Sequence, residues 1–359
     1  MTATPERVRF PAGGRFHADL KRRVDDYFQR SGLTRFGGNA MRLKTAALIS
    51  WLVLSWVLLV FTPVTVAQAV LLTISLALAQ AGIGFAVMHD ANHGSYSPST
   101  RVNQTLSFSL DLIGASSHLW RQKHNILHHT FTNIAGLDAD LEPGPFLRFA
   151  RWQPLRRFHR FQHFYMWLLF GAFPLRWWFL DDAIQMANGR VGTQVFPALR
   201  GWALVRTLLG KAAFIAWAFV IPVLMHPTWK IVPFYLLGSM VLGNVLASVF
   251  QLAHCLGEAD FHDAAPGQLM ETHWAEHQVA TTVDFARKEK LLSWYLGGLN
   301  FQVEHHLFPR VCHVHYPALA VIVEETCAEH HVRYRNEPTL GSALSANVRW
   351  LRQLGSGAI

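Results

Sequence analysis

The chain has 359 residues, of which 51% are hydrophobic, 13% aromatic and only 15% charged, with a net charge of +9. So little charge around long apolar runs argues against a soluble protein and for a membrane protein. The basic excess interrupts aromatic, membrane-like sequence, which sets nucleic acid aside and favours anionic lipid head groups or an acidic partner.

Residues 1–44 carry Pro5, Arg7, Arg9 and the run "DLKRRVDDYFQR" before any apolar segment, so no cleavable signal peptide is expected. This stretch reads as a cytoplasmic amphipathic lead. A span needs roughly 20 mostly apolar residues. Residues 45–61, 65–88, 208–225 and 231–253 qualify, and they pair around the short turns at Pro63 and "HPTWK". The expected fold is an all-α integral membrane protein with four transmembrane helices as two hairpins. A cytoplasmic helical cap would carry a histidine-rich di-metal site. Lys230 alone among the Lys and Arg residues lies in the short connections, so the positive-inside rule puts both termini and the large loops in the cytoplasm. In a bacterium the membrane would be the inner one. Residues 105–116 contain Asp111, and 161–180 contain Pro174 and Arg176. Both are expected at or dipping into the cytoplasmic interface. The membrane domain is then 45–335, with a tail at 336–359.

Cys255, Cys312 and Cys327 show no paired spacing, which argues against disulfides and a cysteine zinc site. The compositional anomaly is the 20 histidines. Three clusters stand out: "HDANH" (89–93), "HNILHH" (124–129) and "QVEHH" (302–306). On a helix, positions i and i+4 share a face, which fits His89 with His93 and His124 with His128. His129, and likewise His306 beside His305, point about 100° further round, towards a neighbouring metal. His254 ends the fourth span at the depth where His89 ends the second. These eight imidazoles exceed what one metal takes. Neutral imidazole suits Fe, Cu, Ni and Zn, and two metals would use the full set. The remaining histidines, His277 and His313 among them, read as surface or satisfied residues. "HDANH" alone would resemble a zinc protease, which needs one more ligand rather than six. No E-x-x-H occurs, so a carboxylate-rich di-iron bundle is not supported.

The three clusters resemble the histidine boxes of the membrane fatty acid desaturases: H-x-x-x-H, a longer H-x-x-x-H-H form of the second box, and Q-x-x-H-H. "HNILHHTFTNIAGLDADL", with its Thr-Asn and paired Asp, and "HWAEHQVATTVDFA" extend the likeness over roughly residues 15–335. The Q-x-x-H-H form is similar to the front-end group, with linoleoyl-CoA (Δ6-type) desaturases as the nearest named likeness. The resemblance implies an oxidoreductase that uses two Fe and O2 to place a cis double bond in a fatty acyl-CoA or acyl-lipid. Many relatives carry a fused cytochrome b5 with H-P-G-G. This sequence has no such motif, so electrons are expected from a separate protein, ferredoxin or cytochrome b5 with a reductase.

The implied metal ligands are His89, His93, His124, His128, His129, His254, His305 and His306. Catalysis would rest on the metals, with no separate catalytic residue. Asp90, Asp138, Asp140 and Glu304 are candidates to receive the second N–H of a ligating imidazole. The stearoyl-CoA type has His where Gln302 stands, and Asn where Phe250 stands. Gln302, Gln251 and Asn244 are therefore candidates for an amide at the metals. Trp120, Trp274 and Phe301 are weak candidates for lining the acyl chain, with packing as the plainer role. The basic run "RFARWQPLRRFHR" suits a CoA or lipid head group. A membrane hydroxylase or ketolase remains an open alternative within redox chemistry. A divalent-metal binding or transport protein is the alternative of another class. The oligomeric state stays open.

Overall fold

The computed structural model describes residues 7–192 and 194–359; the first six residues of the amphipathic lead fall outside that range. Helix α1 (Arg15–Ser31) buries Phe16, Leu20, Val24 and Phe28, one face at helical spacing. The first apolar helix, α2 (Gly38–Phe61), begins well before residue 45. The second, α3 (Val66–His93), starts at a Thr65–Gln68 capping box and runs on through the first histidine cluster. Helical residues 117–131, called α4, carry the second cluster. Helix α5 begins at Gln162–Arg176 and continues to Asn188. Helices α6 (Gly201–Met225) and α7 (Thr228–His254) complete the four apolar helices long enough to cross a membrane. Then follow α8 (Trp274–Thr281), α9 (Gln302–Leu307), α10 (Tyr316–Glu329) and α11 (Leu340–Ser356).

Helix α3 is the central one of the four: 61% of its apolar window is buried, against 28%, 22% and 39% for α2, α6 and α7. It packs along α2 and α7. Trp51 Nε1 donates to Ser75 Oγ (2.7 Å), which also bonds Ser55 Oγ (2.9 Å). His226, between α6 and α7, donates Nε2–H to the Val60 carbonyl at 2.8 Å. Both short connections therefore meet at one end of the molecule. Since α3 and α7 run away from that end, His89 and His254 arrive together at the other.

The apolar stretch 161–180 forms α5, which lies across α7. Ser239 Oγ donates to the Gly171 carbonyl at 2.6 Å. A Cβ on Gly243 would fall 2.0 Å from the Phe170 carbonyl oxygen, so only glycine permits this approach. The C-terminal residues 336–359 form no loose tail. Helix α11 buries Trp350, Leu351 and Leu354, and Asn347 Nδ2 donates to the Cys255 carbonyl at 2.8 Å. It closes the same body that α5 and α7 begin.

An apolar cavity of about 700 Å³ opens among the four spans towards the short connections, lined by Thr73, Gln80, Trp178, Phe214, Tyr235 and Gly238 among others. None of the eight histidines touches it, nor do Trp120, Trp274 or Phe301.

Candidate metal centre

Four segments bring the histidines together. In α3 the turn 83–88 widens to π geometry just before His89. Gly297 and Gly298, both at positive φ, lead the third cluster past that turn. A Cβ on Gly297 would stand 2.4 Å from the Phe85 carbonyl oxygen. In α4 a second wide turn spans Gln122–His128. A π turn absorbs one extra residue within a helix. That is how the longer H-x-x-x-H-H spacing keeps its imidazoles together, with His124 stacked on His128 at 5.2 Å between centroids.

All eight predicted histidines meet. His89, His93, His124 and His305 form one group whose ligand atoms lie within 4.8 Å of one another, and His128, His254 and His306 form another. His129 joins His305 and His306 in a third, between them. The adjacent His305 and His306 thus face different groups, with rings at 86° to each other. His89 lies 4.5 Å from His305, and His306 lies 4.9 Å from both His128 and His254, centroid to centroid.

On three rings the outer nitrogen is engaged. His128 Nδ1 bonds Asp138 at 3.0 Å, His306 Nδ1 bonds Gln278 Oε1 at 2.8 Å, and His305 Nδ1 bonds Tyr316 Oη at 3.2 Å. On four rings the inner nitrogen is not: Nε2 of His93, His128, His305 and His306 is buried without a hydrogen-bond partner. Orphaned buried nitrogens are costly alone. Converging lone pairs, backed on His128, His305 and His306 by an outer acceptor or hydroxyl, are the arrangement a metal-binding imidazole needs. The residues therefore fit a nitrogen-ligated metal centre.

Asp138 also accepts from the backbone N–H of Asn133 and Asp140, so it caps the loop as well as orienting His128. Asp140 pairs with Lys123 at 2.6 Å and lies 3.8 Å from His124. The two other expected carboxylates lie elsewhere. Asp90 bonds His313, and Glu304 accepts from Tyr334 Oη at 3.0 Å beside the buried Asp284. Neither has a hydrogen bond to a predicted ligand. They neighbour ligands in sequence, but adjacent residues on a helix diverge by about 100°.

Among the amides, Gln302 Nε2 is 2.9 Å from His254 Nε2, and its Oε1 is buried without a partner. Asn244 lies ten residues before His254, some 15 Å along the helix. It donates to the Trp167 and Met240 carbonyls and ties α5 to α7 rather than serving the site. Gln251 is buried, and the ring of Phe250 covers His254 and His128 instead. Trp120 stacks on His124 at 4.2 Å and edges towards His89 and His93. Trp274 donates Nε1–H to the His129 carbonyl, and Phe301 is core packing.

Gln278, Tyr316 and Thr132 were not anticipated as outer partners. Thr132 Oγ1 meets the His128 carbonyl, Gln278 Oε1 and His306 Nδ1 at 2.7, 2.9 and 3.2 Å. Asn133, at positive φ, donates to the His254 and Asp260 carbonyls, both at 3.1 Å. The Thr-Asn pair after the second box was the available signal.

Burial, then repulsion from neighbouring imidazoles, holds His129, His305 and His306 well below the usual histidine range. His124 is pushed down to about 4, with burial again the leading cause. For His128 burial opposes protonation, but Asp138 and Asp140 outweigh it and raise the pKa. The lowered group's stability contribution is complete above the unfolded value of about 6.5 and is lost as pH falls towards the folded one. His128 has the opposite sign: its contribution is present below about 6.5 and lost as pH rises through its raised pKa. His124 alone then costs about 2 kcal/mol at pH 5. The chelator-stripped protein is expected to melt lower at about pH 5 than at about pH 7. A melting temperature that is flat or higher on acidification contradicts this balance.

The fold and site define a helical protein with four helices apolar and long enough to cross a membrane and histidine groups that could hold metal. The chain belongs to the fatty acid desaturase family, whose sequence profile matches residues 64–338. It is 36% identical over 361 residues to the sn-1 linoleoyl-lipid 6-desaturase of Synechocystis sp., covering 99% of both chains. The protein of the same name from Arthrospira platensis is also 36% identical, over 99% of this chain and 96% of that one. The acyl-lipid (8-3)-desaturase of Physcomitrium patens is 34% identical over 95% of this chain and 72% of its own length.

Proposed function

We propose that the protein is a front-end desaturase that places a cis double bond in a lipid-linked fatty acyl chain. The observation that carries this is the convergence of eight histidines, four of them with buried, unpartnered Nε2 atoms, in a chain similar end to end to lipid-linked 6-desaturases. The balanced reaction takes two hydrogens from adjacent methylenes and, with two electrons and two protons from outside, reduces O2 to two waters. Two irons, when bound, supply the oxidising chemistry. His89, His93, His124 and His305 would hold one, and His128, His254 and His306 the other, with His129 between them. Asp138, Gln278 and Tyr316 fix ring orientation, and Phe250 and Trp120 keep water off the imidazoles.

The electrons come from a separate ferredoxin or cytochrome b5 with its reductase. The four spans form two hairpins with both termini and the histidine cap in the cytoplasm, which the concentration of Lys and Arg beyond the short connections supports. Expression in a host without desaturases, with defined unsaturated fatty acids supplied, tests the proposal. The expected product carries a new cis double bond on the carboxyl side of the existing one. A hydroxylated product, or no new double bond in protein that has bound iron, overturns it.

A further inference from the structure

Beside the histidine centre lies a second buried assembly that the proposed reaction does not use. It joins Lys44 of α2, Asp90 of α3, and Cys312 and His313 from the loop after the third box, none more than 5% exposed. Asp90 Oδ2 accepts the Nδ1–H of His313 at 2.8 Å and the Sγ–H of Cys312 at 3.0 Å. The other ring nitrogen of His313, Nε2, lies 2.8 Å from Lys44 Nζ.

Asp90, Cys312 and His313 have the donor types and spacing of a metal site. Lys44 decides otherwise. An ammonium only donates, so His313 Nε2 is the acceptor and Nδ1 the donor. Both ring nitrogens are then committed, and the imidazole has no lone pair left for a metal. What results is an ammonium and a carboxylate joined through a neutral imidazole. Buried charges are tolerated when paired and hydrogen-bonded, and removing one partner strands the other.

The chain positions give this bridge a use. Asp90 directly follows His89, and His313 follows His306 by seven residues. His89 and His305, from those same two boxes, are 4.5 Å apart in the first histidine group. We infer that the Lys44–His313–Asp90 bridge is a positioning device that clamps the first box onto the third. It holds His89 and His93 in register with His305 for one of the two metals. The inference rests on the two-metal reading above.

The test uses the full-length protein, purified in detergent, loaded with ferrous iron and assayed for iron per chain and helix content. A glutamine at 313 offers an amide N–H to Asp90 and an oxygen to Lys44, whereas leucine offers neither. His313→Gln is expected to bind two irons like the unaltered protein. His313→Leu is expected to keep its helix content yet hold one, with iron affinity at the lost position reduced about 10–100-fold. The double variant Lys44→Met/Asp90→Asn removes both charges and should also hold one iron, which decides the matter if His313→Leu does not fold. Two irons retained in His313→Leu or in the double variant, or a loss in His313→Gln as large as in His313→Leu, overturns the clamp. An unaltered chain that binds fewer than two irons overturns the two-metal reading instead.

Discussion

Replacing His306 with alanine is expected to reduce desaturation to background, roughly a thousand-fold or more, and to lower bound iron from two to one. His306 is fully buried, its Nδ1 is fixed by Gln278, and its Nε2 points unpartnered into the group with His128 and His254. Without it that group has two imidazoles, too few to hold a metal against solvent and competing ligands. Gln278→Leu leaves the imidazole in place and removes only the acceptor that orients it. The loss there is expected to be about 10–100-fold, with both irons retained at saturating metal. The exposed His331, replaced by asparagine, which tolerates its positive φ, should change neither quantity. Iron per chain and fatty acid product measured on the same preparations separate the three cases. A His306→Ala protein with two irons and product within about ten-fold of normal contradicts the ligand assignment.

The steepness of that series reflects which parts of the site were legible in the sequence. The spans were readable because apolar length is a local property, and the boxes because i and i+4 share a helical face. The wide turns at 83–88 and 122–128 were not. A π turn leaves no compositional mark beyond the one extra residue in H-x-x-x-H-H. The outer partners were hidden for another reason. Gln278 and Tyr316 reach His306 and His305 by tertiary packing, and nothing in their local spacing marks them. The sequence neighbours Asp90 and Glu304 looked better placed, yet the helix turns them towards His313 and Tyr334. Asn244 failed on depth, since its amide is spent on the Trp167 carbonyl. Chemistry-bearing residue types were thus easy to find, and the direction each side chain takes was set by the fold.

Gln302 is where direction and chemistry meet. Its amide is 2.9 Å from His254 Nε2, inside the group that has only three imidazoles, whereas the other group has four. Amide nitrogen and oxygen exchange by a flip of the side chain. In this structure the N–H faces His254. Were a metal held by His254, the flipped oxygen would face the same point and would add a donor to that group. Phe250, with its ring against His254, has no atom to offer there. Three substitutions separate the roles. Gln302→His supplies a fourth nitrogen and is expected to retain two irons and most of the activity. Gln302→Ala leaves the position to water and should cost about 10–100-fold in affinity for the second iron. Gln302→Glu adds a buried negative charge to an all-nitrogen centre and should keep the iron but lower turnover more than the alanine variant does. Iron titration with turnover at saturating iron reads both effects. An alanine variant with unchanged affinity and turnover would mean that the amide neither binds nor orients, and that three imidazoles with His129 suffice for the second metal.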